Sequence, residues 1–160
     1  MIKYETMNKM EMEYHQKYPN SILLVLIGNF YHVYGKDTYI LCYIFKYKII
    51  NTLYKISGNR KINIPNTGFP CNSLDKVLLD LEDKKINYVI KVKNKEDIFK
   101  DFKKLNTYEK RYEVSKKYCI DKMKVNEIMC ELEELCGKKE FSYVLDEIQK
   151  NIEKYLGHGC

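Results

Sequence analysis

The chain of 160 residues is 45% hydrophobic and 31% charged, the ordinary balance of a globular protein long enough to bury a core. No apolar run approaches the roughly 20 residues of a membrane span, and Met1-Ile2-Lys3-Tyr4-Glu5 does not read as a signal peptide, so the expected location is the cytoplasm. The formal charge of +6 is uneven, because residues 1–93 carry 14 Lys+Arg against 8 Asp+Glu while residues 94–160 carry 14 of each.

Residues 2–17 read as a helix that stops at Tyr18-Pro19-Asn20, since Pro19 disfavours helical geometry in the residue before it. The unbroken apolar run Ile22 to Ile27 has the length and bulk of a buried strand. After Gly28 apolar and polar residues alternate through Tyr34, and Gly35 breaks the run. Asp37 is placed to cap a helix over 37–46 whose inward face is Ile40, Leu41, Ile44 and Phe45. Strands are expected at 49–56 and 61–64 around a turn at Ser57-Gly58-Asn59. Ser73 is placed to cap a helix over 74–84 that buries Leu74, Val77, Leu78 and Leu81, and a strand rich in Tyr, Val and Ile follows at 86–92.

Everything beyond residue 93 reads as helical. Asn94 with Asp97 marks a helix start ahead of Ile98, Phe99, Phe102 and Leu105. Val125, Ile128, Met129, Leu132 and Leu135 recur at spacings of three and four up to Gly137. Phe141, Val144, Leu145, Ile148, Ile152, Tyr155 and Leu156 repeat the pattern up to Gly157. Two amphipathic helices joined at Gly137 make a helical hairpin, whose apolar faces need each other and either the sheet or a partner chain.

The chain lacks the residue sets of common catalytic sites. Its only Gly-Lys step, Gly137-Lys138, has no upstream glycine of a phosphate-binding loop, and its histidines stand apart at 15, 32 and 158. Six cysteines occur without a Cys-x2-Cys pair, and Cys130, Cys136, His158 and Cys160 match no common zinc spacing. The expectation is a non-enzyme with no catalytic residues, no metal and no cofactor.

Three separate stretches carry a family resemblance. Tyr14-His15-Gln16-Lys17-Tyr18-Pro19-Asn20 is similar to a helix ending in Lys-Tyr-Pro-Asp. Gly28-Asn29-Phe30-Tyr31-His32 resembles a Gly-Asp-Phe-Tyr-Glu stretch, with His32 in place of the glutamate. The run from Ile64 to Lys76 is similar to an Ile-Pro-Met-Ala-Gly-Ile-Pro-Tyr-His segment and the helix after it. Together they resemble the N-terminal mismatch-recognition domain of MutS, the DNA mismatch-repair family, over roughly residues 10–93. The resemblance implies an α/β domain over 1–93, a mixed sheet flanked by helices, with residues 94–160 as a helical extension.

It also implies a mechanism. Phe30 corresponds to the ring that wedges into the duplex at a mispair, and His32 to the glutamate that hydrogen-bonds the mispaired base. A neutral imidazole can donate and accept there, whereas a protonated one only donates. The basics Lys36, Lys46, Lys48, Lys55, Arg60 and Lys61 face only Asp37 between positions 36 and 61, an excess expected of a surface that meets phosphates. With Asn66 from the last matched stretch they complete the expected nucleic-acid contacts. Arg60 and Arg111 are the only arginines, so phosphate attraction and shape should outweigh base reading.

The expected partner is therefore mismatched, bulged or distorted DNA, with no role for a membrane. Two rival readings stay open: an interaction module that has lost mismatch recognition, acting as a homodimer or on a protein partner through the helices of 120–156, and a binder of structured RNA or DNA of a mobile element.

Overall fold

The computed structural model describes residues 4–55, 61–103 and 107–157, and the chain divides into two compact units, Met1–Cys119 and Ile120–Cys160. The first unit opens with α1 (Tyr4–Lys17), β1 (Ser21–Ile27), β2 (Phe30–Tyr34) and α2 (Gly35–Phe45). It continues with β3 (Ile50–Lys55), β4 (Lys61–Pro70), α3 (Leu74–Asp83), β5 (Asn87–Lys91) and β6 (Ile98–Lys100). The strands form one mixed sheet in the order β3-β4-β2-β1-β5-β6, in which only β1 and β5 run parallel. Helix α4 (Thr107–Leu135) begins in this unit, and α5 (Phe141–Leu156) lies in the second.

The sheet's two faces follow from strict alternation along its central strands. Ile22, Leu24, Tyr31, Val33, Phe69, Tyr88 and Ile90 point into the main core with Ile40 and Leu41 of α2 and Val77 and Leu81 of α3. Leu23, Val25 and Val89 point the other way, under Met10, Tyr14 and Tyr18 of α1 and its end. A ten-residue helix such as α3 is too short to persist alone in water. Val77 and Leu81, both fully buried, each contribute roughly 1.5–3 kcal/mol and hold it on the sheet.

Several expectations needed correction. The apolar and alternating runs from 22 to 34 form two antiparallel strands, because Ile27 pairs with Phe30 and leaves Gly28-Asn29 as a two-residue turn. Strand β4 does not stop at Ile64 but continues to Pro70, with Asn66, Thr67 and Gly68 paired to β2. Neither proposed cap works through its side chain: the Asp37 carboxylate turns to the backbone N–H of Leu23 (2.8 Å), and the Ser73 hydroxyl donates to Asn72 Oδ1 (3.4 Å). The turn expected at 57–59 lies outside the described residues.

The helix expected from Asn94 is instead a strand. Ile98, Phe99 and Lys100 pair antiparallel with Ile90, Val89 and Tyr88, and a tight turn holds Lys95 N–H to the Val92 carbonyl (3.2 Å). Asp97 accepts from Tyr14, Lys17, Tyr18 and Lys91, so it joins α1 to the sheet and caps nothing. Burial alone would raise its pKa, yet these four donors hold it down at about 2. The first unit thus runs past residue 93, where sequence similarity alone had ended it, because β6 extends the sheet and Tyr108 and Tyr112 of α4 enter the main core.

In the second unit no described residue is buried. Gly137 and Gly157, at φ +84° and +72°, end the helices as expected. The apolar face does not become a core, however, and Ile128, Met129, Ile152 and Tyr155 each leave half or more of their surface exposed.

Candidate nucleic-acid interface

Two of the matched stretches lie side by side in the sheet. Phe30 pairs with Pro70, Tyr31 with Phe69, His32 with Gly68 and Tyr34 with Asn66, so the sequence from Phe30 and the one from Ile64 form one antiparallel ladder. The turn before Phe30 needs Gly28 at φ +61°, the left-handed geometry that tight hairpins favour, and the Asn29 carbonyl accepts from Cys71 N–H (3.0 Å). Phe30 is therefore held between β1 and β4 at the end of the central hairpin.

Alternation sends Tyr31 and Val33 into the core, where the Tyr31 ring stacks on Phe69 at 5.6 Å. Phe30, His32 and Tyr34 share the opposite face, with ring centroids 6.4 Å apart between the first pair and 6.2 Å between the second. Burial increases along this row: Phe30 is 48% exposed, His32 intermediate and Tyr34 buried. Met7 covers Tyr34, and Met10, Tyr14 and Tyr18 cover Leu23 and Val25, which leaves Phe30 as the uncovered end.

Gly68 makes room for the backbone of β2 beside His32. A Cβ there would sit 2.8 Å from the Tyr31 carbonyl oxygen and 3.5 Å from His32 Nδ1, so a larger residue collides with backbone. Burial pushes the His32 pKa below 6.5, which keeps the ring neutral near pH 7 and able both to donate and to accept.

The predicted basics do not gather around this ring. Lys36 Nζ is bonded to Glu109 at 2.9 and 3.2 Å and lies over the Tyr112 ring, near the end of β2 remote from Phe30. Lys46 Nζ sits between the rings of Tyr43 and Tyr118, 4.7 and 4.2 Å from their centroids. Lys61 starts β4, paired with Lys55, nine residues before Pro70 and so roughly 30 Å along an extended strand. Arg60 lies outside the described residues. Asn66 is buried, and its amide donates to the Ile50 and Ile64 carbonyls and Thr52 Oγ1, so it fastens β3 to β4 and faces no solvent.

Of the predicted set, Lys48 lies toward the Phe30 end of the sheet, because Ile50 pairs with Asn66 and the chain before it runs toward Gly68 and Pro70. Its carbonyl accepts from Thr67 Oγ1 at 3.1 Å, on the face opposite His32, and its side chain is exposed at the sheet's edge. On the other flank, Lys93 and Lys95 follow β5 at the end where parallel β1 also finishes. Both are exposed and neither was singled out from the sequence. No local signal marks them, because their place depends on the parallel pairing of β1 with β5, two strands distant in the chain.

Next to Lys36, Asp37 belongs to a second polar cluster, buried under α1. Asp37 is 1% exposed; its Oδ1 accepts from the Tyr108 hydroxyl and its Oδ2 lies 3.4 Å from His15 Nε2. The hydrogen bond to Asp37 raises the His15 pKa against the opposing effect of burial. Burial first, then the Asp37 charge, raises that of Glu11, whose carboxylate fills the space that a Cβ at Gly35 would need. These contacts join α1, α2 and α4.

Among the described residues no group of His, Cys, Asp and Glu is arranged to hold a metal ion, and no helix is long and apolar enough to cross a membrane. Fold and site together define a mixed α/β domain whose central hairpin ends in an uncovered aromatic beside a half-buried histidine. Residues 6–119 match the family model described as MutS domain I. The chain belongs to that family, and the match runs beyond residue 93 to the same Cys119 that closes the first compact unit. Among curated proteins, none matches the chain.

Proposed function

We propose that this chain is a non-enzymatic DNA-binding module that inserts Phe30 at weakened base steps. The observation that carries this reading is the 48% exposure of Phe30 on a hairpin whose other aromatics are buried or half-buried. Driving an apolar ring between bases costs about a few kcal/mol in lost stacking. Base–aromatic stacking returns roughly 1–3 kcal/mol. The wedge therefore succeeds where the stack is already weak, at a mispair, a bulge or an unpaired base. His32 contributes a neutral donor–acceptor beside the ring, and Lys48, Lys93 and Lys95 contribute phosphate attraction on both flanks. The test is a titration of matched, mismatched, bulged and single-stranded probes at two salt concentrations. Equal affinity for matched and mismatched duplexes would overturn the reading.

A second reading rests on the unit from Ile120 onward. None of its described residues is fully buried, and its apolar helix faces fit association with another chain, either a second copy or a protein partner. Sedimentation equilibrium tests self-association: a mass that rises with concentration supports a homodimer, and a monomer at every concentration removes it.

A further inference from the structure

A cavity of about 620 Å³ lies between the second half of α2, the end of α3 and the first turns of α4, entirely within the first unit. That volume is within the range of small-molecule sites, roughly 300–1,000 Å³. Ile40, Ile44 and Val114 give it an apolar wall. Lys46, Lys84, Lys110 and Arg111 line it as well, and among the described residues no Asp or Glu does. It shares no residue with the Phe30 surface, and the wedge mechanism has no use for it.

The cations are unevenly satisfied. Lys46 is held between the Tyr43 and Tyr118 rings. Arg111 Nη2 donates to the Lys84 carbonyl at 2.8 Å, which fixes the guanidinium at the cavity edge, while its buried Nε has no acceptor. A buried guanidinium N–H without an acceptor is uncommon, because its desolvation goes uncompensated. Four positive groups around one cavity also repel one another, and a bound anion relieves that repulsion.

We propose that this cavity binds a small amphipathic anion, with its acid group near Lys84, Lys110 and Arg111 and an apolar body against Ile40, Ile44 and Val114. The lining narrows the class. Among the described residues Thr107, Ser115 and Tyr43 are its only hydroxyls, too few for the many polar groups of a nucleotide or a sugar phosphate, whose burial unpaired is unfavourable. The ligand class is a carboxylic acid or phosphate monoester on a hydrocarbon or aromatic body.

The test uses the full chain with decanoate, decyl phosphate and 1-decanol as calorimetric probes. One-to-one binding of decanoate or decyl phosphate with a Kd below about 1 mM, and none of 1-decanol, is the expected result. The tighter of the two acids identifies the head group. Lys84→Glu with Lys110→Glu should weaken that binding by about tenfold or more, with Lys84→Ala and Lys110→Ala substituted if the reversal unfolds the chain. Ile152→Glu, on the apolar face of α5, should leave it unchanged. Failure of both acids to saturate, equal binding of 1-decanol, or loss through Ile152→Glu alone would overturn the proposal.

Discussion

The phenol of Tyr108 donates to Oδ1 of Asp37, 71 positions earlier in the chain, while Oδ2 of the same carboxylate accepts from the backbone of Leu23. One buried charge thus joins the start of α4, the first turn of α2 and the central strand β1, with His15 of α1 alongside. Its pairing matters because a buried carboxylate is tolerated only when donors surround it.

Removing those partners gives the first prediction. Tyr108→Phe should cost about 1.5–3 kcal/mol, the range for a hydrogen bond to a charged group. Asp37→Ala should cost about 3–5 kcal/mol, because its partners are left buried together. The double variant should lose less than the sum. Urea denaturation of the three variants measures this, and strict additivity would show the two residues uncoupled.

Two histidines should titrate in opposite directions. His15 is raised by its bond to Asp37, so its contribution to stability is complete below about pH 6.5 and lost as pH climbs through the higher folded value. His32 is lowered by burial, so its contribution is complete above about pH 6.5 and lost as pH falls through the lower folded value. NMR of the imidazole resonances, assigned with His15→Gln and His32→Gln, should place one midpoint on each side of 6.5. Two midpoints on the same side would contradict these surroundings.

Phe30→Ala should leave stability within about 0.5 kcal/mol of the parent, since the ring is exposed. If Phe30 wedges, the same change should reduce preference for mismatched or bulged probes by roughly one to two orders of magnitude. Melting curves alongside binding curves separate lost folding from lost recognition. A variant that keeps its mismatch preference would leave the wedge without support.

Reversal of Lys48, Lys93 and Lys95 to Glu should weaken binding to every probe. It should also flatten log K against log salt by about 0.9 for each B-DNA phosphate that is no longer neutralised. Lys36→Glu with Lys61→Glu should change little, since Lys36 is bonded to Glu109 and Lys61 starts β4 at the end away from Pro70. The opposite ranking would move the phosphate-binding surface away from the Phe30 end.

Gly68→Ala should cost about 1–3 kcal/mol through overpacking, because the new methyl meets the Tyr31 carbonyl, which cannot turn aside as a side chain would. The shift should register at the His32 resonances. A neutral substitution would mean that β4 can move away from β2 at this point.

The comparison of sequence with structure depends on how local each signal is. The strand at 22–27 and the face of α3 were legible because apolar bulk and period are carried by neighbours. Residues 94–105 misled because Ile98, Phe99 and Phe102 fit helical spacing as well as a short strand. What decided between them was the edge of β5 and the four donors around Asp97, which come from distant positions. The ring and its histidine were legible as a motif. The lysines were not, since their density along the chain says nothing of which end of the sheet they reach.

Phe30 opens a strand paired on both sides, to Ile27 and to Pro70, and so does not ride on a loop. An aromatic presented on a mobile segment must give up backbone freedom when it enters a base stack, at about 1–2 kcal/mol for each residue ordered. Here that freedom was already surrendered when the sheet formed. If the ring enters a base stack, what it gains there is retained almost whole, and the deformation falls on the softer of the two bodies, the nucleic acid.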